Sequence, residues 1–117
     1  MRGSDDTARS GGDGGAGPGL AAELGAELGE RATLVQFSSA FCAPCRATRR
    51  VLSEVAAMVP GVTHVEIDAE ACLDLVRRLG VERTPTVLVL DADGRVVRRA
   101  AGQPRKADVI AALGAAL

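Results

Sequence analysis

From Thr33 to Phe37 the chain is apolar or β-favouring at every position but Gln36, as a short buried strand is. Ala47, Val51, Leu52, Val55, Met58 and Val59 then recur at helical spacing, with Arg46, Arg49, Arg50, Ser53 and Glu54 opposite them, and Pro60-Gly61 stops the pattern. Between strand and helix lies a sharp turn, Ser38-Ser39-Ala40-Phe41. Val62 to Asp68 reads as a second strand, with Val65 and Ile67 on one face and His64 on the other. Ala69 to Leu79 reads as a short helix with Leu75, Val76 and Leu79 apolar, closed by Gly80.

Thr86-Val87-Leu88-Val89-Leu90 is a nearly continuous apolar run, expected of a strand covered on both faces. Asp91-Ala92-Asp93-Gly94 is turn chemistry, and Arg95 to Ala100 returns as an antiparallel edge strand with its charges outward. Gly102 breaks it. Pro104 then opens a last helix whose buried stripe is Val109, Ile110, Leu113 and Leu117. Ahead of all these, Leu20, Leu24 and Leu28 form an i, i+4, i+8 stripe that predicts a short helix in spite of Gly25. The order α-β-α-β-α-β-β-α gives an α/β fold: a mixed sheet with helices on both faces.

Residues 1–19 differ in kind. Gly3, Gly11, Gly12, Gly14, Gly15, Gly17 and Gly19, with Ser, Asp and Pro18 between them, offer too little apolar surface to offset chain entropy. They are expected to form a disordered tail, leaving 20–117 as the domain. Neither a signal peptide nor a membrane-spanning stretch is expected. The 117 residues suit one domain, and a hydrophobic content of 47 % with 25 % charged residues suits a soluble globular one. A net charge of −1 without a basic tract argues against nucleic acid or an anionic membrane as partner. Phe37 and Phe41 are the only aromatic residues, so the core is built from Val, Leu, Ile and Ala. Single-stranded nucleic acid finds almost no stacking platform.

The chemistry lies in Cys42-Ala43-Pro44-Cys45, where the turn becomes the helix. The nucleophile in thiol–disulfide exchange is the thiolate, and free backbone N–H groups with the positive end of the helix dipole favour an anion at a helix start. Cys42 is therefore assigned the attack, and Cys45, one turn in and shielded, the resolution of the mixed disulfide. Pro44 sits in the first turn, where a missing N–H removes nothing the helix uses. Metal binding is the competing use of such a pair. A structural zinc needs four ligands, and only Cys72 and His64 remain to complete the set. Cys72, on the predicted third helix, reads as a small buried hydrophobe, with a regulatory thiol as the alternative.

Ser39-Ala40-Phe41-Cys42-Ala43-Pro44-Cys45-Arg46 resembles the active-site segment of thioredoxins, and Thr84-Pro85-Thr86 resembles the cis-proline segment that faces their dithiol. The likeness extends over roughly residues 20 to 117. It implies a thioredoxin-like fold, here with about four strands, because the glycine tail stands where the family's first strand would be. It implies a protein-disulfide reductase that cycles between a Cys42/Cys45 dithiol and an intramolecular disulfide, with neither metal nor organic cofactor. It also implies a cis Pro85 and a peptide groove formed by Phe41, Pro44, Thr84, Pro85 and Gly102, in which targets are held by main-chain bonds. The expected partners are disulfide-containing proteins and an electron donor such as a thioredoxin reductase. The expected state is a cytoplasmic monomer.

The departures from the family are specific. Gln36 stands where thioredoxins usually carry a buried Asp thought to help deprotonate the second cysteine, and an amide cannot accept and return a proton. His64 aligns with the Lys that usually pairs with that Asp. Gln36 and His64 are thus expected to lie together beneath Cys45, with His64 tuning the dithiol's pH response; the alternative is a partly exposed histidine on a strand. Phe41 and Ser38 replace two tryptophans, and Ala43 replaces a glycine. Ala-Pro between the cysteines leans toward the reducing members. A thioredoxin-fold binding or redox-sensing module without efficient reductase activity remains open on these grounds, and an oxidase or isomerase would need an oxidising compartment.

Overall fold

All seven residues of the first strand, β1 (Ala32–Ser38), are buried, because β1 has a neighbour on either side and helices over both faces. The computed structural model describes residues 23–117; the glycine-rich tail expected at 1–19 lies outside the described residues. After β1 come α1 (Ala43–Met58), β2 (Val62–Asp68), α2 (Leu73–Leu79), β3 (Thr86–Asp91), β4 (Val96–Ala101) and α3 (Lys106–Gly114). Among the described residues four strands form one mixed sheet in the order β2-β1-β3-β4. β1 pairs parallel with β2 and antiparallel with β3, and β3 pairs antiparallel with β4, with an irregularity between Val89 and Leu90.

Strand alternation divides the core in two. Leu34, Val87 and Val89 pack with Leu52 and Val55 of α1 and with Val109 and Leu113 of α3. On the opposite face Val35, Phe37, Val65, Ile67, Leu88 and Leu90 pack with Leu75 and Leu79 of α2 and with Leu24. Burying each Leu- or Phe-sized side chain stabilises the fold by about 1.5–3 kcal/mol. The even-numbered side chains of β1 and β2 therefore face α1. That parity puts Gln36, Ser38, His64 and Glu66 on the same side of the sheet as the cysteines.

Several boundaries differ from the sequence reading, each for a local reason. Glu23 and Leu24 are helical, but the helix ends at Gly25, whose φ is +69°, so Leu28 packs on the core from irregular chain; Leu20 lies outside the described residues. In α1 the innermost positions are Cys45, Thr48, Leu52 and Val55, while Met58 is 56 % exposed. The buried face is rotated from the apolar stripe because Cys45 and Thr48 lie against the sheet. α2 starts at Leu73, not Ala69, since Asp68 first closes a turn: its side chain accepts from Glu70 N at 2.9 Å and its carbonyl from Ala71 N at 3.1 Å. Cys72 consequently occupies the N-cap of α2 rather than its body, and is half-buried. α3 starts at Lys106 with Arg105 at the cap, two residues past Pro104. Its inner face is Val109 and Leu113, and the buried Ala116, just past its end, continues the i, i+4, i+7 series. Ile110 and Leu117 fall off that face and are 44 % and 51 % exposed.

Candidate active site

Cys42 is the N-cap of α1. Its backbone is extended, with φ −110° and ψ 100°, and its carbonyl accepts from Cys45 N at 3.1 Å and Arg46 N at 3.2 Å. Its Sγ also accepts from Cys45 N, at 3.2 Å. The sulfur of Cys42 thus sits where a helix start supplies N–H groups, the position in which negative charge on it is best supported. The two cysteines form a disulfide with Cα atoms 5.2 Å apart. Cys42 is half-buried and Cys45 is 1 % exposed. Cys42 is thus the more accessible of the pair.

The turn before the pair is shaped for access. Phe41 takes a left-handed φ of 57°, a conformation that costs a bulky residue energy, and its ring is fully exposed beside Cys42. Pro44 is exposed in the first turn of α1. The Thr84–Pro85 bond is cis. Ser39 Oγ and Thr84 Oγ1 share a hydrogen bond of 2.7 Å, which fastens the proline loop to the turn that leads into Cys42. Gly102, at φ +90°, donates its N–H to the Pro85 carbonyl at 2.8 Å. Phe41, Pro44, Thr84, Pro85 and Gly102 thus belong to three chain segments that these bonds and the dithiol turn bring to one end of the sheet.

A buried polar layer underlies Cys45. Gln36 is fully buried, and its Nε2 donates to the Cys45 carbonyl at 2.8 Å and to Ser38 Oγ at 2.9 Å. Its Oε1 is 3.1 Å from His64 Nε2, and His64 Nδ1 is 3.3 Å from Ser53 Oγ. Ser38 Oγ donates to Glu66 Oε2 at 2.8 Å, and Glu66 accepts two bonds from the Arg49 guanidinium, at 2.7 and 2.8 Å. Those two bonds hold the Glu66 carboxyl below the usual carboxylate range, and the carboxylate in turn raises Arg49. Burial pushes the His64 imidazole below its ordinary value, against the pull of Glu66 and with the push of Arg49. An open cleft of about 360 Å³, lined by Ser38, Ser39, Ala40, Arg49, Glu66 and Asp68, brings solvent to the Glu66 end of this layer.

Gln36 and His64 thus lie together beneath Cys45. Ser38, Arg49, Ser53 and Glu66 join them; of these the sequence reading compared only Ser38 with the family, as the replacement of a tryptophan, and it gave none a place beneath Cys45. Strand alternation held part of the signal: Ser38 follows Gln36, and Glu66 follows His64, at the two-residue spacing of one strand face. Among the described residues no group of three or more His, Cys, Asp and Glu side chains is arranged to hold a metal ion.

The thioredoxin family profile matches residues 22–115 of this chain. A thioredoxin of Chlamydia muridarum is 35 % identical over 77 residues, 66 % of this chain and 74 % of that protein. The human protein named thioredoxin domain-containing protein 2 is 35 % identical over 60 residues, 51 % of this chain but only 11 % of its own length. Among solved structures, Fasciola hepatica thioredoxin superposes with a TM-score of 0.68 at 21 % identity, covering 85 % of this chain and 89 % of its own. With its mixed four-stranded sheet and a Cys-X-X-Cys disulfide at the start of α1, the chain belongs to the thioredoxin family of thiol–disulfide oxidoreductases.

Proposed function

We propose that the protein reduces disulfides of other proteins through Cys42. The Cys42 thiolate attacks a target disulfide and forms a mixed disulfide, expelling one target sulfur as thiolate. Cys45 then attacks Cys42 Sγ, the second target sulfur leaves, and the Cys42–Cys45 disulfide remains. Two electrons have passed to the target. A dithiol donor of the kind a thioredoxin reductase provides restores the pair. The observation that carries this reading is the asymmetry of the two cysteines: Cys42 half-buried at the N-cap of α1, Cys45 1 % exposed behind it.

Target peptides lie across the exposed Phe41 ring and Pro44, along the main chain at Thr84 and Pro85, with Gly102 at the far wall. Main-chain capture suits a protein that accepts many sequences. The domain acts as a monomer in a reducing compartment, which we take to be the cytoplasm, where such a donor exists. No helix among the described residues is long and apolar enough to cross a membrane.

Reduction of insulin with dithiothreitol as donor tests the reading. Rapid precipitation of the insulin B chain by the wild type, lost in Cys42→Ser, is the expected result. Activity no greater than the variant's leaves a thioredoxin-fold docking module as the better description.

A further inference from the structure

The orientation of every group in the layer beneath Cys45 follows from one acceptor. The Cys45 carbonyl can only accept, so the Gln36 side chain must present Nε2 to it, at 2.8 Å. Gln36 Oε1 then faces His64, and since an amide oxygen only accepts, His64 Nε2 carries the hydrogen of the 3.1 Å bond. Nδ1 is left to Ser53, whose hydroxyl can donate to a neutral imidazole or accept from a charged one. The imidazole can therefore change charge without breaking a hydrogen bond. Among the described residues it bonds Gln36 of β1 and Ser53 of α1, and the charges that act on it are Arg49 of α1 and Glu66 of its own strand. The two charged ones, Arg49 and Glu66, are paired with each other.

We propose that His64 is a positioning residue for the resolving step: in its charged form, acting through the Gln36 amide, it favours the thiolate of Cys45. The inference rests on the assignment of Cys42 and Cys45 as the exchanging dithiol. A positive imidazolium polarises the Gln36 amide and strengthens its N–H bond to the Cys45 main-chain carbonyl, and a positive charge on the face of the sheet that carries the dithiol favours an ionised thiol. As pH falls, the thiolate fraction of Cys45 falls tenfold per unit. Protonation of His64 partly offsets that loss. The device keeps resolution working on the acid side of neutrality, where a mixed disulfide would otherwise persist.

The test follows release of 5-thio-2-nitrobenzoate from its symmetric disulfide in a Cys72→Ser background. The first equivalent reports attack by Cys42. The second reports resolution: Cys45 gives its proton to solvent and bonds to Cys42 Sγ, and the Cys42–nitrobenzoate bond breaks with the aryl thiolate leaving. Resolution rates of wild type and His64→Gln are compared from about pH 5 to about pH 8.5. The expected wild-type advantage is about threefold or more at the acid end, equivalent to about half a pKa unit, and it vanishes at the alkaline end. The change falls at the pKa of the imidazole itself, read by NMR from the only histidine in the chain. A ratio constant across pH, whatever its value, or one that changes away from that pKa, overturns the proposal. Should His64→Gln fail to fold, the wild-type profile alone decides: its slope must fall below one decade per unit across the imidazole pKa. No second release at any pH contradicts the dithiol assignment itself, and the proposal with it.

Discussion

The side chain of Gln36 donates from Nε2 to the main-chain carbonyl of Cys45 across 2.8 Å, both partners being buried. That bond ties the central strand to the first turn of the helix that carries the dithiol. It also commits the other polar groups of the layer, because Gln36 serves Ser38 and His64 at the same time.

Gln36→Leu keeps the volume but leaves the His64 Nε2–H and the Cys45 carbonyl without that partner. Loss of about 1–3 kcal/mol in the stability of the disulfide form is expected, measured by urea unfolding. A change below about 0.5 kcal/mol would mean that the layer reorganises freely or rests on water.

Thr48, one turn past Cys45 on the buried face of α1, has no hydrogen-bond partner for its hydroxyl among the described residues. Thr48→Val replaces it with a side chain of the same shape and the same β-branching, so helix propensity hardly changes. Removing an unsatisfied buried hydroxyl is expected to raise stability by about 1 kcal/mol, read from the urea midpoint at unchanged m-value.

Gly29 lies where chain meets chain. A Cβ there would sit 2.2 Å from the Ala32 carbonyl oxygen, 2.7 Å from that of Gly61 and 2.9 Å from Thr63 N. Backbone on three sides cannot move aside without opening the start of the β1–β2 pairing. Gly29→Ala is expected to cost about 2 kcal/mol or more, whereas Gly114→Ala, where a Cβ meets nothing within 4 Å, is expected to be neutral or stabilising in the same assay.

The buried layer also sets how stability depends on pH. Burial lowers the His64 pKa in the fold, so the unfolded chain binds that proton more readily. The contribution is complete above the unfolded value of about 6.5 and is lost as pH falls through the folded value. Glu66 follows the same sign at lower pH: its pairing with Arg49 contributes above about 4.3 and is lost as pH falls through its lowered folded value. Unfolding of the disulfide form, in which neither paired cysteine titrates, is therefore expected to become easier from about pH 7 to pH 5 in wild type and less so in His64→Gln. Below about pH 4.5 a further loss is expected that Glu66→Gln lacks.

Strand positions and the dithiol turn were legible because local rules decide them. An apolar run such as Thr86–Leu90 has few alternatives, and a cysteine pair with Pro44 at a helix start has one obvious geometry. The exposed Met58 and Ile110 were misread because hydropathy places a residue on a helix but not the helix on its sheet. The buried Thr48 shows the same from the other side. The start of α2 went to the Asp68 turn, a side-chain bond that competes with helix initiation and leaves no mark on periodicity. The nearness of Gln36 and His64 came from resemblance to the family, since residues alone do not fix a β1–β2 register that sets Leu34 opposite His64 and Gln36 opposite Glu66. Ser38, Ser53, Arg49 and Glu66 depended on that same register and on how α1 lies over it.

The division of labour between Cys42 and Cys45 is the centre of the account, and trapping tests it most directly. Each single Cys→Ser variant is reduced, mixed with an excess of oxidised insulin at neutral pH and examined by mass spectrometry without reductant, in a Cys72→Ser background. Cys45→Ser is expected to accumulate a stable mixed disulfide through Cys42, and Cys42→Ser to form little or none, since Cys45 is 1 % exposed. Equal trapping by the two variants, or trapping through Cys45 alone, would contradict the assignment.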